Sequence, residues 1–181
     1  MKMTVTEIID LLVFKGDSQY GGEAINQLQH ALQCAHLAEM SNETPQLITA
    51  CLLHDIGHLI TEEFSETRET SSHQDDLHQF IALPFLRPLF PEDVLGPIKL
   101  HVDAKRYLCF SDKAYWDSLS LTSKHTLELQ GGVFSSQAAQ IFIDKPFAQD
   151  AIRLRRYDDL AKVPNAKTPP LGHYRKIAES F

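Results

Sequence analysis

The 181-residue sequence predicts an all-α fold. Apolar residues recur at three- and four-residue spacing in most segments, which is the period of a helix with one buried face. No segment shows the apolar–polar alternation typical of a half-buried strand. No internal repeat or linker divides the chain, and its length suits one hydrophobic core. We therefore expect a single helical domain over residues 1–181.

The first half of the chain is expected to form three helices. Their apolar patterns cover residues 5–15, 24–40 and 45–53. The first helix should end near Gly16, before a turn-rich loop that contains Tyr20. Pro45 favours the start of the third helix. This third helix is mostly apolar and is expected to run through Leu53 directly into His54-Asp55.

The second half begins with a polar, acidic stretch over residues 61–76, which we interpret as a surface loop. Helical spacing resumes over residues 78–86, where Pro84 is expected to kink or end the helix. Two longer helices are expected, one from Pro91 past His101 and one from about Pro146 to Asp159. The chain after Pro164 is expected to be extended and at most partly ordered.

Composition excludes several classes of function. The net charge of −7 argues against a nucleic-acid-binding surface. No apolar run approaches the roughly 20 residues of a membrane span, and the N-terminus lacks a signal-peptide pattern. Cys34, Cys51 and Cys109 are scattered without a CxxC pair, which is typical of reduced thiols and predicts a cytoplasmic protein. The sequence leaves the oligomeric state open.

The segment Ala50–His58 predicts a metal site. It places His54 and Asp55 at the end of an apolar run, with His58 one helical turn beyond His54. An adjacent imidazole and carboxylate are costly to bury unless something compensates them. A metal ion does so, because it accepts both neutral imidazole and carboxylate as ligands. Since a carboxylate has two oxygens, Asp55 could bridge two metals.

Further ligand-type residues stand inside other apolar helical patterns: His30, His78, His101 and Asp158. Any one of them alone would more often be a core or surface residue than a ligand. Their order together with His54-Asp55 is what indicates a metal centre. The order H…HD…H…H…D is typical of the HD-domain superfamily, in which helices bring imidazoles and carboxylates together.

Five sequence blocks make the resemblance more specific. They are Tyr20-Gly21-Gly22-Glu23, His54-Asp55-Ile56-Gly57-His58, His101 to Tyr107 (HVDAKRY), Ser123…Thr126…Gln130-Gly131-Gly132, and Arg155 to Asp159 (RRYDD). From Tyr20 to about Lys162 the sequence resembles the mixed-valent di-iron oxygenases that cleave the carbon–phosphorus bond of 1-hydroxyphosphonates. Myo-inositol oxygenase is a more distant relative. The HD pair alone is weakly specific, because most HD proteins are phosphohydrolases. The resemblance implies an all-α HD-domain helical bundle.

The resemblance implies an Fe(II)/Fe(III) pair, with O2 as co-substrate. The implied ligands form two sets that share one carboxylate: His30, His54, Asp55 and Asp158 for one iron, and Asp55, His78 and His101 for the other. Among nearby alternatives, His78 is preferred to His73 because it heads an apolar pattern. Asp158 is preferred to Asp159 by its place after Arg-Arg-Tyr, although the doublet leaves this choice open. We expect His36 to be structural and His125 to be exposed.

The remaining motif residues imply an anionic substrate. The implied substrate-binding side chains are Glu23, His58, Lys105, Ser123, Thr126 and Arg155. Lys105 stands one turn after His101, and Arg155 stands one turn before Asp158, so both can reach a metal-bound group. A solvated helix face is the alternative for either residue taken alone. By resemblance, Tyr20 occupies an iron position when substrate is absent and Glu23 senses a substrate ammonium. Tyr20, Glu23, His58 and Lys105 are the implied catalytic set.

The expected function is O2-dependent cleavage of a 2-amino-1-hydroxyethylphosphonate-type compound, with a primary or N-methylated amine. The products would be phosphate and an amino acid, either glycine or glycine betaine. One alternative is a metal-dependent HD phosphohydrolase acting on a phosphoester. Another is a non-catalytic HD module that binds a phosphorylated metabolite or a protein, which would be expected to lack some ligands. The sequence leaves open whether the substrate carries an ammonium, a trimethylammonium or no nitrogen group.

Overall fold

The computed structural model describes residues 3–64 and 77–181, and within these ranges it contains helices and no β-strand. The helices are α1 (Val5–Lys15), α2 (Gln27–Met40), α3 (Pro45–Leu53), α4 (Ile56–Phe64), α5 (His78–Leu86), α6 (Glu92–Ser111), α7 (Lys113–Ser118), α8 (Leu121–Leu129), α9 (Ser136–Ile143), α10 (Ala148–Leu160) and α11 (Leu171–Ala178). The prediction of an all-α fold is confirmed. None of these helices is both long and apolar enough to cross a membrane.

Helix α3 lies at the centre of the main hydrophobic core. Every side chain from Leu47 to Leu53 is at most 7% exposed. The core around it combines buried residues of α1, α2, α4, α5, α6, α10 and α11. A helix that is apolar all round is stable only when it is covered on every side. The residues that follow α3 are therefore held in the interior, at the meeting point of several helices.

The helix is interrupted at the end of α3, which differs from the expected continuous helix. Helix α3 ends at Leu53, His54 caps it, and α4 begins at Ile56. Gly57, in the first turn of α4, lies directly against α5. A Cβ atom on Gly57 would lie 2.0 Å from the carbonyl oxygen of His78. Only glycine permits this approach, and it places the start of α5 beside the His54-Asp55 junction.

The second helix begins later than the sequence pattern suggested. Asn26 caps α2: its side chain accepts a hydrogen bond from the backbone N–H of Gln29, and the Gln29 side chain accepts one from the backbone N–H of Asn26. This capping box satisfies N–H groups that would otherwise lack partners at the start of the helix. The prediction of a helix from Ala24 was wrong by three residues. The segment that contains Tyr20 and Glu23 is consequently a turn.

The C-terminal segment is ordered, so the prediction of an extended tail was wrong. Helix α11 buries Tyr174, which is 1% exposed and whose hydroxyl donates to Glu39 Oε2 at 3.1 Å. It was missed because α11 has few apolar residues and depends on packing against the core. Helix α5 likewise continues past Pro84 to Leu86. Helix α4 extends to Phe64, into the expected loop, and the rest of that loop lies outside the described residues.

Candidate metal centre and adjoining pocket

Six ligand-type side chains from separate helical segments converge in the interior. One comes from α2, two come from the junction between α3 and α4, and one each comes from α5, α6 and α10. In chain order they are His30, His54, Asp55, His78, His101 and Asp158. All are buried except Asp55, whose side chain is 11% exposed. The structure therefore brings together every residue that the sequence suggested as a metal ligand.

The first set of ligand atoms surrounds one point. The Nε2 atoms of His30 and His54 are 3.3 Å apart, and His30 Nε2 is 3.4 Å from Asp158 Oδ1. Asp55 Oδ2 lies 3.3 Å from His54 Nε2 and 3.7 Å from His30 Nε2. Neighbouring atoms that bind one ion at about 2.1 Å are separated by roughly 3.0–3.4 Å. These four side chains therefore fit a single metal ion.

The second set lies on the other side of Asp55. Asp55 Oδ1 is 3.1 Å from His78 Nε2 and 3.7 Å from His101 Nε2. The two imidazole nitrogens are themselves 3.0 Å apart. One oxygen of Asp55 thus faces each set, and no other described carboxylate is in contact with both. This arrangement fits a bridging ligand between two ions.

Main-chain carbonyls fix the orientation of three imidazoles. Their Nδ1 atoms donate to the carbonyl oxygens that lie beside them: His30 to Ala161 (2.9 Å), His54 to Cys51 (2.9 Å) and His101 to Ile98 (2.7 Å). A carbonyl only accepts, so Nδ1 carries the hydrogen and Nε2 of the neutral ring presents a lone pair. The Nε2 lone pairs of His30 and His54 face each other and repel. A cation bound between the two nitrogens would remove this repulsion.

The charges of the centre also favour a metal. Burial alone would raise the pKa of Asp55, but His54 holds this pKa well below its usual value. Burial likewise opposes ionisation of Asp158, but Arg155 keeps its pKa well below the usual value. For His54, burial opposes protonation and the carboxylate of Asp55 raises its pKa. A metal cation at Nε2 would take the place of that proton, so these groups fit a cationic cofactor.

A cavity of about 230 Å³ adjoins the ligand sets. Its wall includes all of the candidate site residues except His30 and His54, which lie behind it. The same wall also contains Gln130 and Lys162, which the sequence reasoning did not assign. The cavity has room for a small molecule and exposes both cationic and anionic groups to it.

Tyr20 covers the first ligand set. Its ring stacks on the ring of His30, with the centroids 3.7 Å apart and the planes 12° from parallel. Its hydroxyl donates to Asp158 Oδ1 at 3.2 Å. Burial, together with Asp158, raises the pKa of Tyr20 well above its usual value, so ionisation of the phenol would require a cation beside its oxygen. The phenol oxygen thus lies beside a carboxylate of the first set.

Lys105 lies in the wall of the cavity, one turn after His101. Its ammonium donates to Thr126 Oγ1 at 2.6 Å and to Gln130 Oε1 at 3.2 Å. Burial, and secondarily Arg155, lowers the pKa of Lys105 to about 7. The signal that could have revealed Gln130 was its place in the Gln-Gly-Gly block. Both partners of Lys105 are neutral, so its charge remains available to an anion.

Arg155 is buried between two neighbouring aspartates. Its Nη1 atom is 2.6 Å from Asp158 Oδ2, and its Nε atom is 3.0 Å from Asp159 Oδ2. The Asp159 carboxylate also accepts a hydrogen bond from Tyr115. Asp158 therefore contacts both Arg155 and the first ligand set, whereas Asp159 contacts Arg155 and Tyr115. The guanidinium lines the cavity, but aspartate oxygens already occupy much of its donor capacity.

Glu23 is in contact with a lysine. Its Oε1 atom accepts from Ser120 Oγ at 2.8 Å and from Lys162 Nζ at 3.3 Å. Lys162 Nζ also donates to Ser123 Oγ at 2.8 Å. The position of Lys162, four residues after Asp158, was the only sequence signal for it. The expected substrate-sensing carboxylate thus has a cationic partner from its own chain.

The remaining histidines are placed as follows. The ring of His58 stacks on that of His78, with centroids 4.2 Å apart, and their ligand-type atoms lie within 4.8 Å of Asp55. His58 therefore stands at the edge of the second set, on the cavity side. His125 is exposed, as expected. His36 lies outside both sets, and His73 lies outside the described residues.

Comparison with known proteins gives consistent results. The HD domain family matches residues 28–132 of this chain. Hydroxymethylphosphonate dioxygenase of Gimesia maris is 43% identical over 97% of this chain and 87% of its own length. The [1-hydroxy-2-(trimethylamino)ethyl]phosphonate dioxygenase (glycine-betaine-forming) of Leisingera caerulea is 33% identical over 91% of this chain and 83% of its own length. An uncharacterised protein of Acanthamoeba polyphaga mimivirus is 37% identical over 96% and 79%, respectively.

Proposed function

Since the chain belongs to the HD domain family and is 43% identical to a hydroxyphosphonate dioxygenase, we propose that it is an iron-dependent oxygenase of 1-hydroxyphosphonates. In this reaction O2 is consumed, the carbon–phosphorus bond breaks, and phosphate is released. The carbon fragment becomes a carboxylic acid, which is an amino acid when the substrate carries an amine. The named relatives act on one substrate without nitrogen and one with a trimethylamino group.

The observation that carries this proposal is the pair of ligand sets that share Asp55, with a phenol oxygen directed at one of them. We assign His30, His54 and Asp158 to one iron and His78 and His101 to the other, with Asp55 bridging. When bound, an Fe(II)/Fe(III) pair supplies the activation of O2 and binds anionic oxygens of the substrate. The neutral donors His30, His54, His78 and His101 and the two carboxylates suit cations of this charge.

The residues of the cavity bind and orient the substrate. Lys105 offers an ammonium whose present partners, Thr126 and Gln130, are neutral, so a phosphonate can replace one of them. Arg155 holds Asp158 in position and adds a second positive charge near the phosphonate. Ser123 and Thr126 add hydroxyl groups from α8; Thr126 Oγ1 accepts from Lys105 and donates to the carbonyl oxygen of Ser123. Lys105 thus offers the phosphonate a charge-assisted contact, and the polar groups around it limit how the phosphonate can be oriented towards the ligand sets.

Tyr20 excludes water from the first set until substrate enters. Its phenol oxygen lies beside Asp158 and its ring covers His30. A substrate that reached the first ligand set through its hydroxyl would have to displace this oxygen. His58 also lines the cavity, next to His78, where it can donate a hydrogen bond to a phosphonate oxygen. The site thus exchanges a residue of its own chain for the substrate.

The test measures O2 uptake and phosphate release together. Iron-loaded protein is mixed with hydroxymethylphosphonate or 2-amino-1-hydroxyethylphosphonate in air and under anaerobic conditions. We expect equal amounts of O2 consumed and phosphate released, and no phosphate without O2. The ferric protein should show a visible tyrosinate absorption band that substrate bleaches and that Tyr20→Phe lacks. Anaerobic phosphate release from a phosphoester with Mg²⁺ or Mn²⁺ alone would instead identify a phosphohydrolase.

A further inference from the structure

Lys162 follows the last turn of α10 and enters the cavity wall between the Tyr20 turn and α8. Its ammonium contacts Glu23 Oε1 at 3.3 Å and Ser123 Oγ at 2.8 Å, and it lies 6.0 Å from the centre of the Tyr20 ring. The side chains of Lys162 and Glu23 are only 14% and 17% exposed. Opposite charges this poorly solvated attract more strongly than the same pair would at the surface.

The contact changes the electrostatic character of this end of the cavity. The Oε1 atom of Glu23 already accepts from both Lys162 and the hydroxyl of Ser120. A substrate ammonium that approached Glu23 would meet a neutralised carboxylate and a second ammonium beside it. Like charges at such distances repel, and this repulsion opposes binding. A methyl group or hydrogen in the same place carries no such cost.

We propose that Lys162 is a specificity-determining residue that acts as an internal ammonium on Glu23. It makes the pocket favour 1-hydroxyphosphonates whose remaining substituent is uncharged over those that carry an ammonium. The inference rests on the proposed function only for the identity of the substrate, a 1-hydroxyphosphonate. The charge preference itself can be measured by ligand binding alone, without catalysis. Glu23 then positions Lys162, and the pair also ties the Tyr20 turn to the end of α10.

A different role for Lys162 predicts a different result. If its ammonium bound the phosphonate directly, as Lys105 is proposed to do, its loss would weaken all phosphonates equally. If it sets the charge preference, its loss should change the ratio between charged and uncharged ligands. The ratio is therefore the quantity to measure.

The experiment compares two ligands that are equal in heavy-atom count. Propylphosphonate and 2-aminoethylphosphonate differ in a terminal methyl or ammonium group, and neither has the C1 hydroxyl at which the proposed reaction occurs. Their dissociation constants are measured by calorimetry with the iron-loaded protein. We expect the unaltered protein to bind propylphosphonate more tightly. Lys162→Met should shift the ratio of dissociation constants towards 2-aminoethylphosphonate by tenfold or more, and Lys162→Gln should shift it in the same direction.

Two controls sharpen the result. Adding Glu23→Gln to Lys162→Met removes both charges, so the ratio should return towards that of the unaltered protein. Lys105→Met should weaken both ligands and leave the ratio unchanged. An unchanged ratio in both Lys162 variants, or a preference of the unaltered protein for 2-aminoethylphosphonate, would overturn the proposal. Failure of the oxygenase reaction would be a separate outcome, seen as absent O2 uptake with either hydroxyphosphonate.

Discussion

The two walls of the cavity are built in different ways. On the metal-facing wall, taken together with the ligand-type residues directly behind it, His30, His54 and His101 are each held by a main-chain carbonyl, and their helices belong to or border the main core. On the opposite wall, Lys105 and Lys162 are held by contacts with other side chains from the Tyr20 turn and α8. Backbone anchors move only when a helix moves, whereas a side-chain contact can be changed by one substitution. The placement of the ligand-type side chains is thus fixed by the fold, whereas the placement of Lys105 and Lys162 can be changed by single substitutions.

The largest effect should come from the residue shared by both ligand sets. Asp55→Ala removes an oxygen from each set, so we expect both metals to be lost, as measured by metal analysis of the purified protein. Asp159→Ala is the matched control, since its carboxylate contacts Arg155 and Tyr115 and neither ligand set. It should keep its metals, whereas Asp158→Ala should lose the first. Full metal content in Asp55→Ala would contradict the bridging assignment.

The next effect tests whether the fold itself sets the metal-facing wall. Gly57→Ala places a Cβ atom 2.0 Å from the carbonyl oxygen of His78, so α5 must move. We expect a destabilisation of roughly 1–3 kcal/mol in the free energy of unfolding, together with loss of the metal bound by His78 and His101. Gly172→Ala, where a Cβ atom meets nothing within 4 Å, should do neither. Equal metal content in Gly57→Ala and Gly172→Ala would show that the packing of α5 does not control the placement of the metal-binding side chains.

A smaller effect is expected on the opposite wall. Lys105→Met removes a charge-assisted contact worth roughly 1.5–3 kcal/mol, so the dissociation constant of propylphosphonate should rise about 10- to 100-fold. Metal content should stay unchanged, because Lys105 contacts Thr126 and Gln130 and none of the proposed metal-binding side chains. Lys145→Met, at a half-exposed ion pair with Asp103, serves as the control and should leave binding unaltered. Loss of metal in Lys105→Met would show that the walls are not independent.

The smallest predicted effect is a pH dependence. Burial and Arg155 lower the pKa of Lys105 to about 7, while Asp158 and Asp159 act in the opposite direction and Lys162 adds to the lowering. The protonated fraction therefore falls as pH rises through 7, and phosphonate affinity falls with it. Lys105→Arg keeps its charge, so its affinity relative to the unaltered protein should increase by up to about tenfold from about pH 6 to pH 8. Both proteins are measured with the same ligand, so the pH dependence of the ligand's own ionisation cancels in the ratio of their affinities. A constant ratio would mean that Lys105 stays charged throughout.

Much of the metal-facing wall could be predicted from the sequence. Each ligand type stands inside an apolar helical pattern, so both its chemistry and its burial are visible locally. The His54-Asp55 pair after the apolar run indicated a shared metal site, and the structure brings His30, His78, His101 and Asp158 to it. Their assignment as iron ligands stays a prediction until metal analysis tests it.

The parts that sequence reasoning missed depend on contacts between distant residues. Helix α11 has too few apolar residues to be recognised by its pattern, and it is ordered by burying Tyr174 in the core. The start of α2 was set by the capping box of Asn26 and Gln29, which stopped the helix from reaching Ala24. In both cases a specific partner decided the outcome against the average tendency of the segment.

The sequence by itself determined the all-α fold, the order of the ligand-type residues and the family resemblance, because periodicity and residue chemistry are local properties. The tertiary structure alone decided which charges meet. It placed Asp158 against the first ligand set and Asp159 against Tyr115, although the two aspartates stand side by side in the chain. It also paired Glu23 with Lys162 across 139 positions. Such pairings depend on where α10 and the Tyr20 turn pack, which no local pattern records.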